Sequence, residues 1–277
     1  MTEDIEKVAM LPSIALIMRA KNEMPYVEQA LEQLARQSIL NFDLFAVDSG
    51  STDGTLQVLK KTDCHLQSIL PEAYVPGKVM NEAIAQTEHD LIVLLNADAI
   101  PQSSDWLEQL ILPLLENKAD ATFSKQIARP NAAFVVNYDY ERAYSPKNMR
   151  PEFFSAVACA FKRELWTATP FRETGYAEDA AWAQGCVAQG GRFQWVENSV
   201  VEHSHNYSLK GLFQKRYRQA LTFPEVPHLG KQIIQYLREI VRDLLHAGIT
   251  FQLHTIPYNI AYRTTIHWAL YRGRNDR

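Results

Sequence analysis

The 277-residue sequence predicts an α/β fold: a mostly parallel central sheet flanked by helices, with a helical C-terminal extension. Three observations predict it. Short apolar runs alternate with tight polar turns and amphipathic stretches from Ser13 onward, and that alternation marks strand–helix units whose strands lie parallel. Leu91-Ile92-Val93-Leu94-Leu95 is apolar at every position, as a strand covered on both faces must be. From Ser208 on, the pattern becomes mostly helical. The expected division is therefore an α/β domain over 1–207 and a helical extension over 208–277.

The elements follow in order. Residues 1 to 12 are polar. Ser13 to Met18 is a first strand, and Arg19-Ala20-Lys21-Asn22-Glu23 a polar loop. Pro25 suits the first turn of a helix, and Val27, Ala30, Leu31 and Leu34 fall at i, i+3, i+4 and i+7, its buried stripe. Asp43 to Val47 is a second strand running into Asp48-Ser49-Gly50-Ser51-Thr52-Asp53-Gly54-Thr55 and a helix to about Lys61. The third unit is His65 to Leu70, Pro76-Gly77-Lys78 and a helix through Asn81 and Ile84. The fourth is Leu91 to Leu95, ending in Asn96-Ala97-Asp98, with Pro101 expected to stop the ladder. A helix from about Ser103 buries Leu107, Leu110, Ile111, Leu114 and Leu115. Ala121 to Ile127 is a further strand. Residues 128 to 152, with three prolines and several tyrosines, read as a long functional loop with room for a short helix. Phe153 to Phe161 is strand-like, Glu178 to Gln189 a helix ended by Gly190-Gly191, and Arg192 to Val201 one or two strands.

Composition narrows the function classes. The three cysteines are too few and too far apart for a disulfide framework or a zinc site, which fits a reducing, cytoplasmic compartment. Neither a signal peptide nor an apolar run of about 18 residues is visible. Charge is uneven: residues 206 to 277 hold 11 Lys+Arg against 4 Asp+Glu, whereas 1 to 205 hold 17 against 28. Such a tail suits anionic partners such as lipid head groups or pyrophosphate; the plainer reading, slightly preferred, is a solvated helical surface. No nucleic acid partner is expected. In the tail, Ile233, Ile234, Leu237, Ile240, Val241, Leu244 and Leu245 share one side of a helix. Packing on the core is the preferred reading, and peripheral contact with a membrane the other.

Three polar clusters end three strands: Arg19 to Glu23, Asp48 to Thr55 and Asn96 to Asp98. In a doubly wound sheet these ends share one edge, where ligands bind. Asp48 can accept hydrogen bonds from a base or ribose. The Ser/Thr/Gly run offers amides to an anion at a helix start, and Lys78 can reach a diphosphate. Asp98 is a hard oxygen ligand for a divalent cation; its plain alternative is a helix-capping Asp. Glu178 and Asp179 open a helix as adjacent carboxylates that point different ways, one suited to a base; acids at a helix N-terminus are also favoured by the dipole alone. His203 and His205 follow a strand and include a candidate metal ligand, or are surface histidines. Neither G-x-G-x-x-G nor G-x-x-x-x-G-K-[ST] is present, which counts against nicotinamide dinucleotide binding and a P-loop.

Taken together, Ser13-Ile14-Ala15-Leu16-Ile17-Met18-Arg19-Ala20-Lys21-Asn22-Glu23, Val47-Asp48-Ser49-Gly50-Ser51-Thr52-Asp53-Gly54-Thr55, Leu95-Asn96-Ala97-Asp98 and Glu178-Asp179 resemble the family 2 glycosyltransferases of GT-A (Rossmann-like) fold. The R-A-K-N-E opening, the P-G-K-x-x-N segment and the H-S-H-N-Y-S ending are most similar to the bacterial rhamnosyltransferase-like subgroup. The resemblance implies an inverting transfer of a sugar from a nucleoside-diphosphate sugar to an acceptor hydroxyl in surface polysaccharide or glycolipid synthesis, with a glycan or lipid-linked acceptor. It implies that Arg19, Ala20, Lys21, Glu23, Asp48, Ser49, Lys78, Asn81, Asn96, Ala97 and Asp98 line the donor. It further implies that Asp98 with His203 or His205 holds Mg²⁺ or Mn²⁺, and that Asp179, beside Glu178, is the base. dTDP-rhamnose as donor rests on the subgroup resemblance alone. By position only, Arg129 to Arg150 form an acceptor-side flap and Phe153, Phe154 and Ser155 line the sugar pocket.

Two departures stand out. Asn96 occupies the place of the first acid of the family's D-x-D, and an amide is a weaker ligand for a hard cation. Lys21 stands where many relatives carry a tyrosine that could stack on the base. A sugar-phosphate nucleotidyltransferase would show a Gly-rich basic loop after the first strand, and this loop has no glycine. A non-catalytic nucleotide-sugar-binding protein is the other alternative, separable by binding without turnover.

Overall fold

A computed structural model describes residues 12–150, 153–173, 178–222 and 228–276. The expectation for residues 1 to 11 and for Tyr176-Ala177 lies outside them. The described chain forms two units: 12–127, 144–150, 153–173 and 178–203 make the first, and 128–143, 204–222 and 228–276 the second. The second therefore begins four residues before the expected Ser208, and it takes in 128–143 as well.

The first unit is built on β1 (Ile14–Ala20), β2 (Asp43–Asp48), β3 (His65–Ser68), β4 (Leu91–Asn96), β5 (Ile100–Pro101), β6 (Ala121–Ile127), β7 (Ala158–Lys162) and β8 (Phe193–Glu202). They form one sheet in the order β3-β2-β1-β4-β7-β6-β8-β5. Within β3-β2-β1-β4 every pairing is parallel, as expected. Beyond β4 the sheet is mixed: β7 runs antiparallel to β4 and β6, while β6 and β8 are parallel. Central β1 and β4 are buried almost throughout, and their sequences are apolar apart from Arg19 and Asn96 near their ends. Helices α1 (Tyr26–Leu34), α2 (Thr55–Leu59), α3 (Pro76–Ala85), α4 (Trp106–Leu115), α6 (Arg163–Ala168) and α7 (Glu178–Ala188) accompany these strands. Leu107, Leu110, Ile111 and Leu114 of α4 join the core as predicted, whereas Leu115 is 39% exposed.

Several expectations need correction. Pro101 does not end the ladder. It lies in β5, which pairs antiparallel with Val201 and Glu202 of β8, because an edge strand tolerates a residue without an N–H. The segment after Ile127 contains a ten-residue helix, α5 (Phe134–Ala143), for which the reading of 128 to 152 as a long loop left room. Phe154 is 5% exposed and packs against Phe123, Trp182 and Phe193; it is core, not pocket wall. The β strand expected from Phe153 starts only at Ala158.

The second unit consists of α5, α8 (Leu209–Thr222), α9 (Leu229–Ile249) and α10 (Ile256–Asn275). α8 and α10 meet closely at Gly273, where an added Cβ would come within 2.7 Å of the Tyr217 carbonyl. Charge sits inside this unit. Arg263, 3% exposed, donates to Asp139 of α5 and to Asp243 of α9 at 2.6–2.7 Å. That grip on Asp139 explains why α5 belongs with the C-terminal helices. On α9, Ile233, Leu237 and Leu245 are 48%, 54% and 62% exposed.

Candidate functional site

Strand register brings the first two polar clusters and the third to one level. Arg19 of β1 pairs with Asn96 of β4, and Ala20 with Asp48 of β2. Ser49 fastens the β1 and β2 ends together, its amide and Oγ both donating to the Ala20 carbonyl at 3.0 and 3.3 Å. The loops beyond are knitted as well. Glu23 N donates to Thr55 Oγ1, Thr52 N to Asn22 Oδ1 and Met24 N to Asp53 Oδ2. Slight burial opposes ionisation of Asp53, but the Thr55 and Met24 amides win and hold its carboxyl below the ordinary value. Gly50 takes φ +83°, and a Cβ there would lie 2.6 Å from Pro71, so this turn needs a glycine.

Asp48 is wholly buried. Its Oδ1 accepts from the Gly50 and Ser51 amides at 3.1 and 3.0 Å. Its Oδ2 is buried and has no hydrogen-bond partner among the described residues. Such an orphaned carboxylate oxygen is costly and is suited to an N–H or O–H donor from a ligand.

β4 ends in a tight turn. Ala97 N donates to the Arg19 carbonyl and Ala99 N to the Asn96 carbonyl, leaving Ala97 and Ala99 fully buried and Asp98 2% exposed. Asp98 Oδ2 lies 3.5 Å from His203 Nε2, long for a hydrogen bond. His203 arrives at the end of β8, whose pairing with β6 jumps from Ser124↔Val196 to Lys125↔Val200. That bulge is filled by Ser199, whose Oγ meets Ser124 Oγ at 2.9 Å. His203 Nδ1 is 2.9 Å from Gln126 Oε1, and Gln126 Nε2 donates to Ser155 Oγ at 2.9 Å. This relay makes Nδ1 the donor and leaves Nε2 with a lone pair directed toward Asp98. Sequence reasoning missed Gln126, because a polar residue in a strand carries no motif. A carboxylate oxygen and an imidazole nitrogen, both buried, fit a divalent cation. His205 stands two residues beyond His203 in the sequence and belongs to the second unit.

Arg19 bridges Asn96 and Glu178. Its Nη2 donates to Asn96 Oδ1 at 2.8 Å, and its Nη1 is 3.8 Å from Glu178 Oε1. The amide at position 96 is thus engaged by an arginine rather than standing free as a ligand. Burial pushes the Glu178 carboxyl above its ordinary value, Arg19 pulls it down and Asp179 pushes it up. Next to it, Asp179 Oδ1 accepts from the Ala180 amide at 2.8 Å, which leaves Oδ2 without a protein hydrogen bond among the described residues.

The α3 residues divide. Lys78 is half exposed and 3.7 Å from Glu82, a surface pair that holds it weakly. Asn81 is fully engaged. Its Nδ2 donates to the Phe171 carbonyl and to Glu173 Oε1, and its Oδ1 accepts from Trp166 Nε1 and the Phe171 amide. An amide has two donor hydrogens and two acceptor lone pairs, so Asn81 clamps 166–173 and does not line a donor. Gly77 allows the same contact, since a Cβ there would overlap the Arg172 carbonyl at 1.8 Å. Lys21 is exposed.

Residues 15–165 match the family model of Glycosyl transferase family 2. The chain is 28% identical over 189 residues to an O-antigen chain rhamnosyltransferase of Salmonella anatum, and 26% identical over 220 residues to one of Salmonella typhimurium. Those matches take in 63% and 74% of this chain, but 60% and 70% of the two relatives. In fold it is similar to a mannosyltransferase from Pyrobaculum calidifontis in complex with GDP-Man and Mn²⁺, with TM-score 0.63, 21% identity, and coverage of 97% of this chain and 88% of that one. It is also similar to glucosyl-3-phosphoglycerate synthase from Mycobacterium tuberculosis in complex with Mg²⁺ and UDP, with TM-score 0.56, 21% identity and coverage of 80% and 82%.

Proposed function

The chain belongs to glycosyl transferase family 2, and from that premise we propose that it transfers a sugar, with inversion, from a nucleoside-diphosphate sugar to an acceptor hydroxyl. The observation that carries this reading is in the first unit, where the orphaned Asp48 Oδ2 and the Asp98–His203 pair lie at or just past the ends of β2, β4 and β8 of one sheet. The relatives' names support rhamnose as the sugar and an O-antigen glycan as the acceptor. dTDP-rhamnose is then the donor, and a lipid-linked glycan at the inner face of a membrane is the acceptor.

The roles follow from chemistry. Asp48 Oδ2 accepts a hydrogen bond from the nucleoside. Asp98 and His203 would hold Mg²⁺ or Mn²⁺, which would supply positive charge to a departing diphosphate. Lys78, freed from its surface pair, adds a second positive charge. Arg19 holds Asn96 and Glu178 in place, so Glu178 positions the start of α7 rather than reacting. Asp179 takes the proton of the acceptor hydroxyl through Oδ2 while that oxygen bonds to the anomeric carbon. The bond from that carbon to the diphosphate oxygen breaks, and its electron pair leaves with the nucleoside diphosphate.

Thermal melting with a panel of nucleoside diphosphates and nucleotide sugars, with and without Mn²⁺, tests this. At a hundredfold excess over Kd, the matching nucleotide raises the melting temperature by roughly 5–10 °C, and only with the cation. Donor consumption with a lipid-linked acceptor then follows. Binding with no consumption for any donor would replace this reading with that of a non-catalytic nucleotide-sugar-binding protein.

A further inference from the structure

Helix α9 is packed inside out. The residues it buries are Gln232, Asp243 and Ala247, while Ile233, Ile234, Leu237, Val241, Leu245 and Ile249 are between 48% and 76% exposed. The cause lies in its inner face. Arg263 occupies the interior and requires Asp243, whose Oδ2 it meets at 2.6 Å, and Glu239 lies 3.1 Å from His267 Nε2. An amphipathic helix with its polar side committed inward has to turn its apolar side out. Soluble surfaces rarely carry a contiguous aliphatic strip of this kind without something to cover it.

The strip has a definite electrostatic character. The two acids of α9 are the inward pair, and α10 contains neither Asp nor Glu. Lys231 and Arg238 are exposed on α9 and have no carboxylate partner among the described residues. The strip extends past the helix to Phe251 and Leu253, 89% and 60% exposed. Phe251 has φ +57°, a left-handed backbone that bulky residues seldom adopt. A groove of about 400 Å³ between α9 and α10 is lined by Tyr236, Trp268 and Tyr271, amphipathic rings of the type that gather at a membrane–water boundary.

We propose that this face of α9, with Phe251, Leu253 and Trp268, docks on an anionic lipid bilayer, the helix lying in the plane of the interface. Aliphatic side chains enter the acyl boundary, and Lys231 and Arg238 meet lipid phosphates. A second copy of the chain fits less well: in a two-fold contact the same patch meets itself, which puts Lys231 and Arg238 of both copies into one interface with no acid on the face to offset them. The proposal deepens the lipid-linked acceptor reading and takes its purpose from it. Its test uses neither donor nor acceptor, so failure of one is distinguishable from failure of the other.

The experiment is co-sedimentation of the full chain with phosphatidylcholine vesicles, with and without one-third phosphatidylglycerol, beside sedimentation velocity without lipid. The chain should pellet with the anionic vesicles and much less with the neutral ones. Leu237→Glu/Val241→Glu/Leu245→Glu should abolish pelleting while keeping the parent's helical circular dichroism. Lys231→Gln/Arg238→Gln should weaken it roughly fivefold for each cation removed. Equal pelleting of the triple variant and the parent, or no pelleting of the parent, overturns the proposal. A dimer without lipid that the triple variant dissolves, together with no vesicle binding, also overturns it and assigns the face to a second copy.

Discussion

Helix α4 and helix α9 carry similar aliphatic stripes and put them to opposite uses. In α4, Leu107, Leu110 and Ile111 are wholly buried, and the helix covers a sheet whose own interior is apolar. In α9, aliphatics as large stand in solvent while Asp243 and Gln232 are buried. The difference teaches that a stripe finds its place according to what the rest of the unit needs covered. The sheet offers apolar area to α4. The interior around Arg263 offers α9 a charge that must be met. Buried charge shows the same contrast: Asp48 Oδ2, at a strand end of the first unit, has no partner among the described residues, whereas Asp243 and Glu239 of the second unit are met by Arg263 and His267.

Five measurements sharpen or break this contrast. The largest effect is expected at Asp179. Asp179→Asn should lower kcat by about 10²–10⁴-fold with the donor KM nearly unchanged; a parental kcat would remove the base assignment. Asp98→Asn should cost about 10²–10³-fold in kcat/KM and abolish the cation's effect on nucleotide-induced melting shifts. In the second unit, burial works to raise the Glu239 carboxyl, but the His267 hydrogen bond and the Arg263 charge pull it from 4.5 down to about 2. A depressed acid stabilises the fold above its unfolded value, and that stabilisation is lost as pH falls from about 4.5 toward 2, on the order of 3 kcal/mol. Denaturant melts over this range should show the loss, and Glu239→Gln should flatten it.

Gln126→Leu should weaken cation binding by about 10–100-fold, as loss of an orienting partner does, with kcat recovering at saturating Mn²⁺. Titration calorimetry with the metal and nucleoside diphosphate reads it, and unchanged affinity would make Gln126 merely structural. The smallest effect separates the two helices directly. Leu237→Ala on α9 should change folding stability by less than about 0.5 kcal/mol, while Leu107→Ala on α4 should cost about 2–5 kcal/mol. Comparable losses would mean that Leu237 is covered in the free protein.

Much of the first unit was legible because its signals are local. Leu91 to Leu95 reads as a doubly covered strand from its residues alone, and Asp48 and Asp98 stand out as acids at strand ends. Asn81 was misread, since a polar residue beside Pro76-Gly77-Lys78 looks the same whether it faces a diphosphate or clamps Trp166 and Phe171. Arg19 was assigned to the donor, yet its partners Asn96 and Glu178 are 77 and 159 positions away, a distance that no local pattern encodes. Gln126 had no signal, because its role exists only where β6 and β8 bring it to His203.

By itself the sequence determined the alternation of strands and helices, the acids at the strand ends and the amphipathic stripes, for these depend on hydrophobic period and on neighbours a few residues apart. Only the tertiary structure decided that the sheet turns mixed after β4, that Asn96 answers to an arginine, and that α9 faces outward. Each of these is a choice among partners distant in the chain, settled by which buried charge or donor has to be satisfied.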